Sequence, residues 1–318
     1  VSRDVLVLAG HDAGVPRAST LQLLTLARRW GRPVAVHLGA GAELARPELA
    51  AYGAAELLVL DDARAERHPV APAVEALAHA AAGRELAAVL LPAGGEGREI
   101  AGRLAVRLDA GVLADATPGE RPDEAEQSVL AGGTLVRAAV VRGVPILAVV
   151  ANAVAAEPLD TSTELVAAPL ALELSDAAFR TVVTQRTHAP EGARPPLAEA
   201  RAVVAGGLGL GSADGFALAE RLADRLGAAV GASRAATDAL YCERALQIGQ
   251  TGSVVSPELY VALGISGAIQ HVAGMQGART VVAINRDPEA PMLELADLAV
   301  VGDAFEIVPA LIAELDRR

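Results

Sequence analysis

The residues best placed to do chemistry gather between Gly231 and Asn285, each group where an apolar run gives way to small residues. Ser233 and Arg234 follow Gly231-Ala232, and Gln247, Ile248, Gly249, Gln250 and Thr251 form a polar, glycine-bearing loop. Ser266, Gly267, Ala268, Ile269, Gln270 and His271 follow Gly264, and Asn285 ends the next apolar run. A guanidinium keeps its charge at any relevant pH and, flanked by small residues, can approach a planar ring closely. The Thr251 hydroxyl and the loop amides are donors for ring edges. Gln270, His271 and Asn285 can bond ring edges or hydroxyls, and free N–H groups after Gly264 suit an anion. Together these groups would bind a polar, ring-bearing cofactor.

Other chemistries fit poorly. The run GISGA at 264–268 approaches the G-x-S-x-G nucleophile elbow, but its last position is Ala268. His271, the last histidine in the chain, follows the serine by only five residues, whereas that fold needs serine, acid and histidine in that order along the chain. GGLGLGS (206–212) occupies a strand-to-helix turn without matching the G-x-G-x-x-G nicotinamide fingerprint. There is no lysine, so a P-loop lysine, a Schiff base and a pyridoxal phosphate anchor are excluded. The single cysteine, Cys242, excludes an intrachain disulfide and a cysteine-based metal site, and the histidines show no metal-ligand spacing. Twenty-seven arginines against 39 acids give a net charge of −12 with no basic cluster, which argues against nucleic acid and anionic membranes. No apolar stretch approaches the roughly 20 residues of a membrane span, and Asp4 interrupts the first apolar run, so the expected location is cytoplasmic.

These residues need a scaffold of parallel strands. Leu259–Leu263, a glycine turn, a short helix from Ala268 and a strand from Thr280 to Ile284 make a βαβ unit, and such sheets bind ligands outside the carboxyl ends of their strands. Upstream, strands are expected at 5–9, 34–38, 55–60 and 86–91, alternating with helices. Ser19 or Thr20 would cap the first helix. After Gly111, runs at 128–130, 135–141, 146–151, 166–174 and 181–183 suggest an antiparallel addition. The Pro-rich segment HAPEGARPP reads as a linker. With 52% hydrophobic but only 2% aromatic residues, the cores must be built from Ala, Val and Leu. The fold class is α/β, in two domains each built on a mainly parallel sheet flanked by helices. The boundaries are an N-terminal domain at 1–187, a linker at 188–200 and a ligand-binding domain at 201–318.

GASRAA (231–236), QIGQTG (247–252), GISGAIQH (264–271) and AINRDPEAP (283–291) occur in that order. From about Arg201 onward the chain resembles the FAD-binding half of the electron transfer flavoprotein alpha subunit family. VLVLAGH (5–11) and the stretch from Leu90 to Ala116 resemble its other half more loosely. The resemblance implies a Rossmann-like FAD-binding domain holding one non-covalent FAD. It places Arg234 over the isoalloxazine, Gln250 and Thr251 at the ring edges, and His271 as a donor to the reduced ring. It also places Asn285 and Asp303 around the adenosine, with Ala304 contributing only backbone. It implies an electron carrier without an organic substrate of its own, taking electrons from acyl-CoA or other flavin dehydrogenases and passing them to a quinone oxidoreductase. A beta subunit that binds AMP would complete a heterodimer, packing against the N-terminal domain. The family turn reads GGRGL, whereas Leu208 stands here at the arginine position, so a cation favouring reduced flavin is missing there. Two other classes remain open: an FAD- or nucleotide-dependent oxidoreductase with its own substrate, and a cofactor-free interaction subunit of the same fold.

Overall fold

In the computed structural model, residues 3–130, 133–160, 165–185 and 194–317 are described. They fall into two compact units, one drawn from 1–127 and 135–187, the other from 128–134 and 188–318. Of the expected linker at 188–200, positions 188–193 lie outside the described residues.

The first unit begins with β1 (Asp4–Leu8), a small hairpin of β2 (His11–Asp12) and β3 (Val15–Pro16), and α1 (Ala18–Trp30). It continues through β4 (Arg32–Leu38), α2 (Ala42–Ala51), β5 (Glu56–Leu60), α3 (Ala71–Ala81), β6 (Leu86–Pro92) and α4 (Gly95–Leu108). Then come β7 (Gly111–Pro118), β8 (Glu124–Val129), β9 (Thr134–Ala139), β10 (Pro145–Val149) and β11 (Ala167–Pro169). The sheet order is β11-β5-β4-β1-β6-β10-β7-β8-β9. Its central strands are buried on both faces, which is why they read as unbroken apolar runs. α1 and α2 cover one face through Leu23, Leu24, Leu26 and Leu49; α3 and α4 cover the other through Leu77, Ile100 and Leu104.

Several expectations need correction here. No side chain caps α1: Arg17 is its N-cap, and Thr20 Oγ1 donates instead to the Gly10 carbonyl at 2.8 Å. Antiparallel pairing is recorded where β8 meets β7, whereas β10 lies parallel between β6 and β7 and β11 runs parallel to β5. The completely buried PILAV of β10 is a central parallel strand, a distinction its apolarity alone does not make. β7 was not foreseen because its run GVLADATP is broken by Asp115, at φ 49°, and by a register shift against β10. Residues 181–183 form no strand.

The second unit contains β12 (Ala202–Gly206), α5 (Ala213–Leu226), β13 (Ala229–Ala232), α6 (Arg234–Asp238) and β14 (Leu259–Leu263). It closes with α7 (Ile269–Met275), β15 (Thr280–Asn285), α8 (Pro291–Glu294), β16 (Leu298–Val301) and α9 (Ala304–Leu315). All recorded pairings in its sheet are parallel, in the order β13-β12-β14-β15-β16. Alternation along the strands divides the core. Val204, Val261 and Leu263 pack under α5 and α9, while Val203, Tyr260 and Ala262 pack under α7 and α8. α5 starts where Ser212 Oγ accepts from the Gly215 amide at 3.0 Å and stops at Gly227, φ 61°. Ordered along the chain, the strands run 2-1-3-4-5 across this sheet, so the winding reverses between β12 and β14. A crevice is expected outside the carboxyl ends of those two strands.

Candidate functional site

A cavity of about 720 Å³ opens at that reversal. The end of β12 contributes Leu208 and Gly209, and the end of β13 Ser233 and Arg234. The loop contributes Gln247 through Thr251, the turn after β14 Gly264 to Ser266, and the start of α7 Ala268, Gln270 and His271. Asn285 and Asp287 reach in from the end of β15. Segments up to 80 residues apart meet because parallel strands deliver all their carboxyl ends to one edge.

The floor is backbone. Gly264, at φ 61°, turns the chain so that the Gly209 amide donates to its carbonyl at 3.0 Å, and a Cβ on Gly264 would lie 2.9 Å from Gly209 Cα. Beyond it, the amides of 265–270 donate to no backbone acceptor among the described residues, and Ile265, Ser266, Ala268 and Gln270 of this run line the cavity. Gly267 itself turns at φ 92° against Met292, which leaves no room there for a side chain.

One wall is a chain of hydrogen-bonded polar groups, buried at Ser233, Thr237 and Gln247 and reaching solvent at Thr251. The Thr237 hydroxyl lies 2.9 Å from the Arg234 carbonyl and 3.3 Å from Gln247 Oε1. Gln247 Nε2 in turn donates to Thr251 Oγ1 at 3.1 Å, so the Thr251 proton stays available to a ligand. Ser233 caps α6 through the Ala236 amide. Arg234 lies on the exposed side of α6, with its Nε 3.3 Å from Asp238 Oδ2.

His271 is buried and bonded at both nitrogens. Nδ1 lies 3.1 Å from the Ile248 carbonyl, and Nε2 lies 2.8 Å from the Tyr260 hydroxyl. A carbonyl only accepts, so Nδ1 carries the proton and Nε2 accepts from Tyr260. Burial lowers the His271 pKa to about 4, which keeps the ring neutral. In this structure its one N–H is engaged within the chain, at the Ile248 carbonyl. Nor does either nitrogen meet Ser266, so no nucleophile–base pair forms in the GISGA turn.

Four expected residues do not line the cavity. Gly267 serves the turn, and the Ile269 side chain is exposed to solvent. Asp303 caps α9 through the Phe305 amide and lies 3.7 Å from Arg286, while Ala304, the first residue of α9, is buried in the core. Asn285 donates to the Ile265 carbonyl at 2.9 Å, bracing the glycine turn from the neighbouring strand. Among the contributors that went unforeseen are Asp287, Asp238 and Tyr260. Asp238 sits one helical turn from Arg234, a spacing legible once α6 is known. Tyr260 hides in an apolar strand, although a buried tyrosine hydroxyl needs a partner.

Comparison with known proteins identifies the family. Residues 5–173 match the family model for the electron transfer flavoprotein domain, and residues 196–276 match that for the electron transfer flavoprotein FAD-binding domain. The chain is 44% identical over 310 residues to the electron transfer flavoprotein subunit alpha of Mycobacterium leprae, covering 97% of this chain and 96% of that protein. It is 37% identical over 315 residues to the subunit of the same name in Pseudomonas aeruginosa, covering 96% and 98%. It is also 37% identical over 319 residues to a probable mitochondrial electron transfer flavoprotein subunit alpha of Caenorhabditis elegans, covering 98% and 93%. An FAD-binding domain built around a switch-point cleft, in a chain that matches such relatives over nearly its whole length, belongs to the electron transfer flavoprotein alpha subunit family.

Proposed function

We propose that this chain carries electrons on one non-covalent FAD held in the cleft between β12 and β14. The observation that carries the reading is the convergence of Arg234, the 247–251 loop and Ile265, Ser266, Ala268 and Gln270 of the turn after β14 on one cavity at the reversal of winding. The lining suits such a group in three respects. The volume is within the usual range for cofactor sites, the free amides and glycine floor suit a diphosphate, and Arg234 with Thr251 offers charge and a donor to a polar ring. Bound flavin supplies one- and two-electron redox chemistry, and the protein supplies orientation and electrostatics.

In this reading Ser266, Gln270 and the amides around them hold the diphosphate. Gln250 and Thr251 meet the ring edge, and Arg234 steadies the negative charge that arrives with electrons. Asn285 acts through the glycine turn, whose carbonyl at Ile265 it braces. Asp303 stays at the margin, where sugar hydroxyls fit. The electrons come from flavin dehydrogenases, acyl-CoA dehydrogenases being the typical donors, and leave to a quinone oxidoreductase. The name of the relatives implies a complementary beta subunit, which we assign to pack against residues 1–187 and to bind AMP. The protein has no organic substrate of its own and works in the cytoplasm. Among the described residues no helix is long and apolar enough to cross a membrane.

Co-expression with the neighbouring beta-type subunit tests this. A yellow complex whose flavin is reduced by an acyl-CoA dehydrogenase with its substrate supports the assignment. A colourless heterodimer that ignores added FAD overturns it, and oxidation of a small molecule without any dehydrogenase would show a substrate-using oxidoreductase.

A further inference from the structure

We infer that Asp238 is a redox-tuning residue of the cleft: its carboxylate offsets part of the charge that Arg234 presents and holds back the gain of electrons there. α6 is two-sided. Ala236 and Thr237 are buried, whereas Arg234, Ala235 and Asp238 line the cavity. Positions four apart share a helix face, so the two charges stand side by side, with Arg234 Nε 3.3 Å from Asp238 Oδ2. The buried side keeps this face in place. Ser233 caps the helix through the Ala236 amide, and the Thr237 hydroxyl lies 3.3 Å from Gln247 Oε1, which ties α6 to the 247–251 loop. The helix therefore offers the cleft a pair of opposite charges and not a bare cation.

The fold makes little use of this acid. Its recorded hydrogen bond is to Arg234, and the pair is largely solvated, so it contributes little to stability. Asp287, the other acid on the wall, accepts from the Glu289 amide at 3.0 Å and so shapes its own turn. In the cleft, Asp238 has the sign that an incoming negative charge disfavours. Each electron delivered to bound flavin, by a donor that is oxidised in turn, adds one negative charge to the cavity this carboxylate lines until a proton follows. Arg234 favours that charge and Asp238 opposes it, so the potential is set by the pair.

The inference rests on the FAD reading, and one experiment separates the two failures. The complex with the beta-type subunit, unaltered or carrying Asp238→Asn, Asp238→Ala or Asp238→Glu, is titrated with dithionite against a reference dye. Asn and Ala should each favour reduction roughly ten-fold per electron, which is about 59 mV. Glu keeps the charge and should stay near the unaltered value. A potential that does not move in the Asn and Ala variants overturns the inference, even if their FAD retention falls, because that pattern marks a structural role alone. So does a Glu variant that shifts as far as Asn. An unaltered complex that binds no FAD overturns the cofactor reading and this inference with it, whereas a yellow complex indifferent to the charge at 238 overturns this inference alone.

Discussion

Arg234 Nε lies 3.3 Å from Asp238 Oδ2, one turn along α6, so the cation at the cleft rests on an acid that also lines the cavity. Both side chains are largely solvated, and an ion pair of that kind is worth little to the fold. Arg234→Ala should therefore leave unfolding free energy within about 0.5 kcal/mol of the original. The flavin should nevertheless become harder to reduce, because charge gained by the ring loses its nearby cation. Stepwise reduction against a reference dye measures this, and an unchanged titration removes Arg234 from the assigned role.

Gly264 joins fold and site more tightly. Alanine there must adopt φ near 61° and bring its Cβ to 2.9 Å from Gly209 Cα, against backbone that cannot move aside. Gly264→Ala should cost about 2–4 kcal/mol of stability and abolish measurable FAD binding. Denaturant titration and flavin retention on gel filtration are the two measurements. A variant that keeps both would mean the two glycine turns do not rely on their close approach.

Two buried histidines give the chain an acid limit. His37 is buried in β4 with neither nitrogen partnered among the described residues, and its ring stacks on His11 at 4.1 Å between centroids. Burial, with His11 adding to it, lowers its pKa to about 4, as burial does for His271. The unfolded chain takes up protons near pH 6.5 while the folded chain waits until about 4. Stability is thus complete above 6.5 and falls through that interval, by at most about 1.4 kcal/mol per pH unit for each ring. His37→Leu removes an unsatisfied polar group, so it should raise stability at neutral pH by about 1 kcal/mol and flatten the acid limb. Chemical denaturation at pH 4.5 and 7.5 reads both effects. Equal slopes in the two proteins would mean that His37 is not the titrating group.

The second unit was more legible in the sequence than the first, for a physical reason. Its strands are short apolar runs closed by glycine, and β14 begins and ends where pattern alone puts it. In the first unit β7 mixes small and polar residues with a register shift, so the period that marks a strand is lost. Cavity-lining residues carried on turns, such as Ser233, Thr251 and Ser266, were readable because polar groups between apolar runs stand out. Asp238 was not, since it takes its place from a five-residue helix too short to show a period. Tyr260 was not, since its hydroxyl matters only through a partner eleven positions away.

Leu208 is the clearest departure from the family turn, and the structure places it on the cleft wall, about half exposed. A solvated leucine there neither fills a core nor offers a charge. The other cation near this turn is Arg286, whose Nη2 lies 3.4 Å from the Gly209 carbonyl but whose Nη1 faces Asp303 at 3.7 Å. Among the described residues, the charged side chains on the cleft wall are therefore Asp238, Asp287 and Arg234. Leu208→Arg should add a positive charge at the mouth at almost no structural cost, within about 0.5 kcal/mol. Reduction of the bound flavin should then become easier, the opposite shift to Arg234→Ala. Because exposed charges are screened within roughly 10 Å at 0.1 M ionic strength, the gain should shrink as salt is raised. A potential that does not move at low salt would show that position 208 lies too far from the redox centre to tune it.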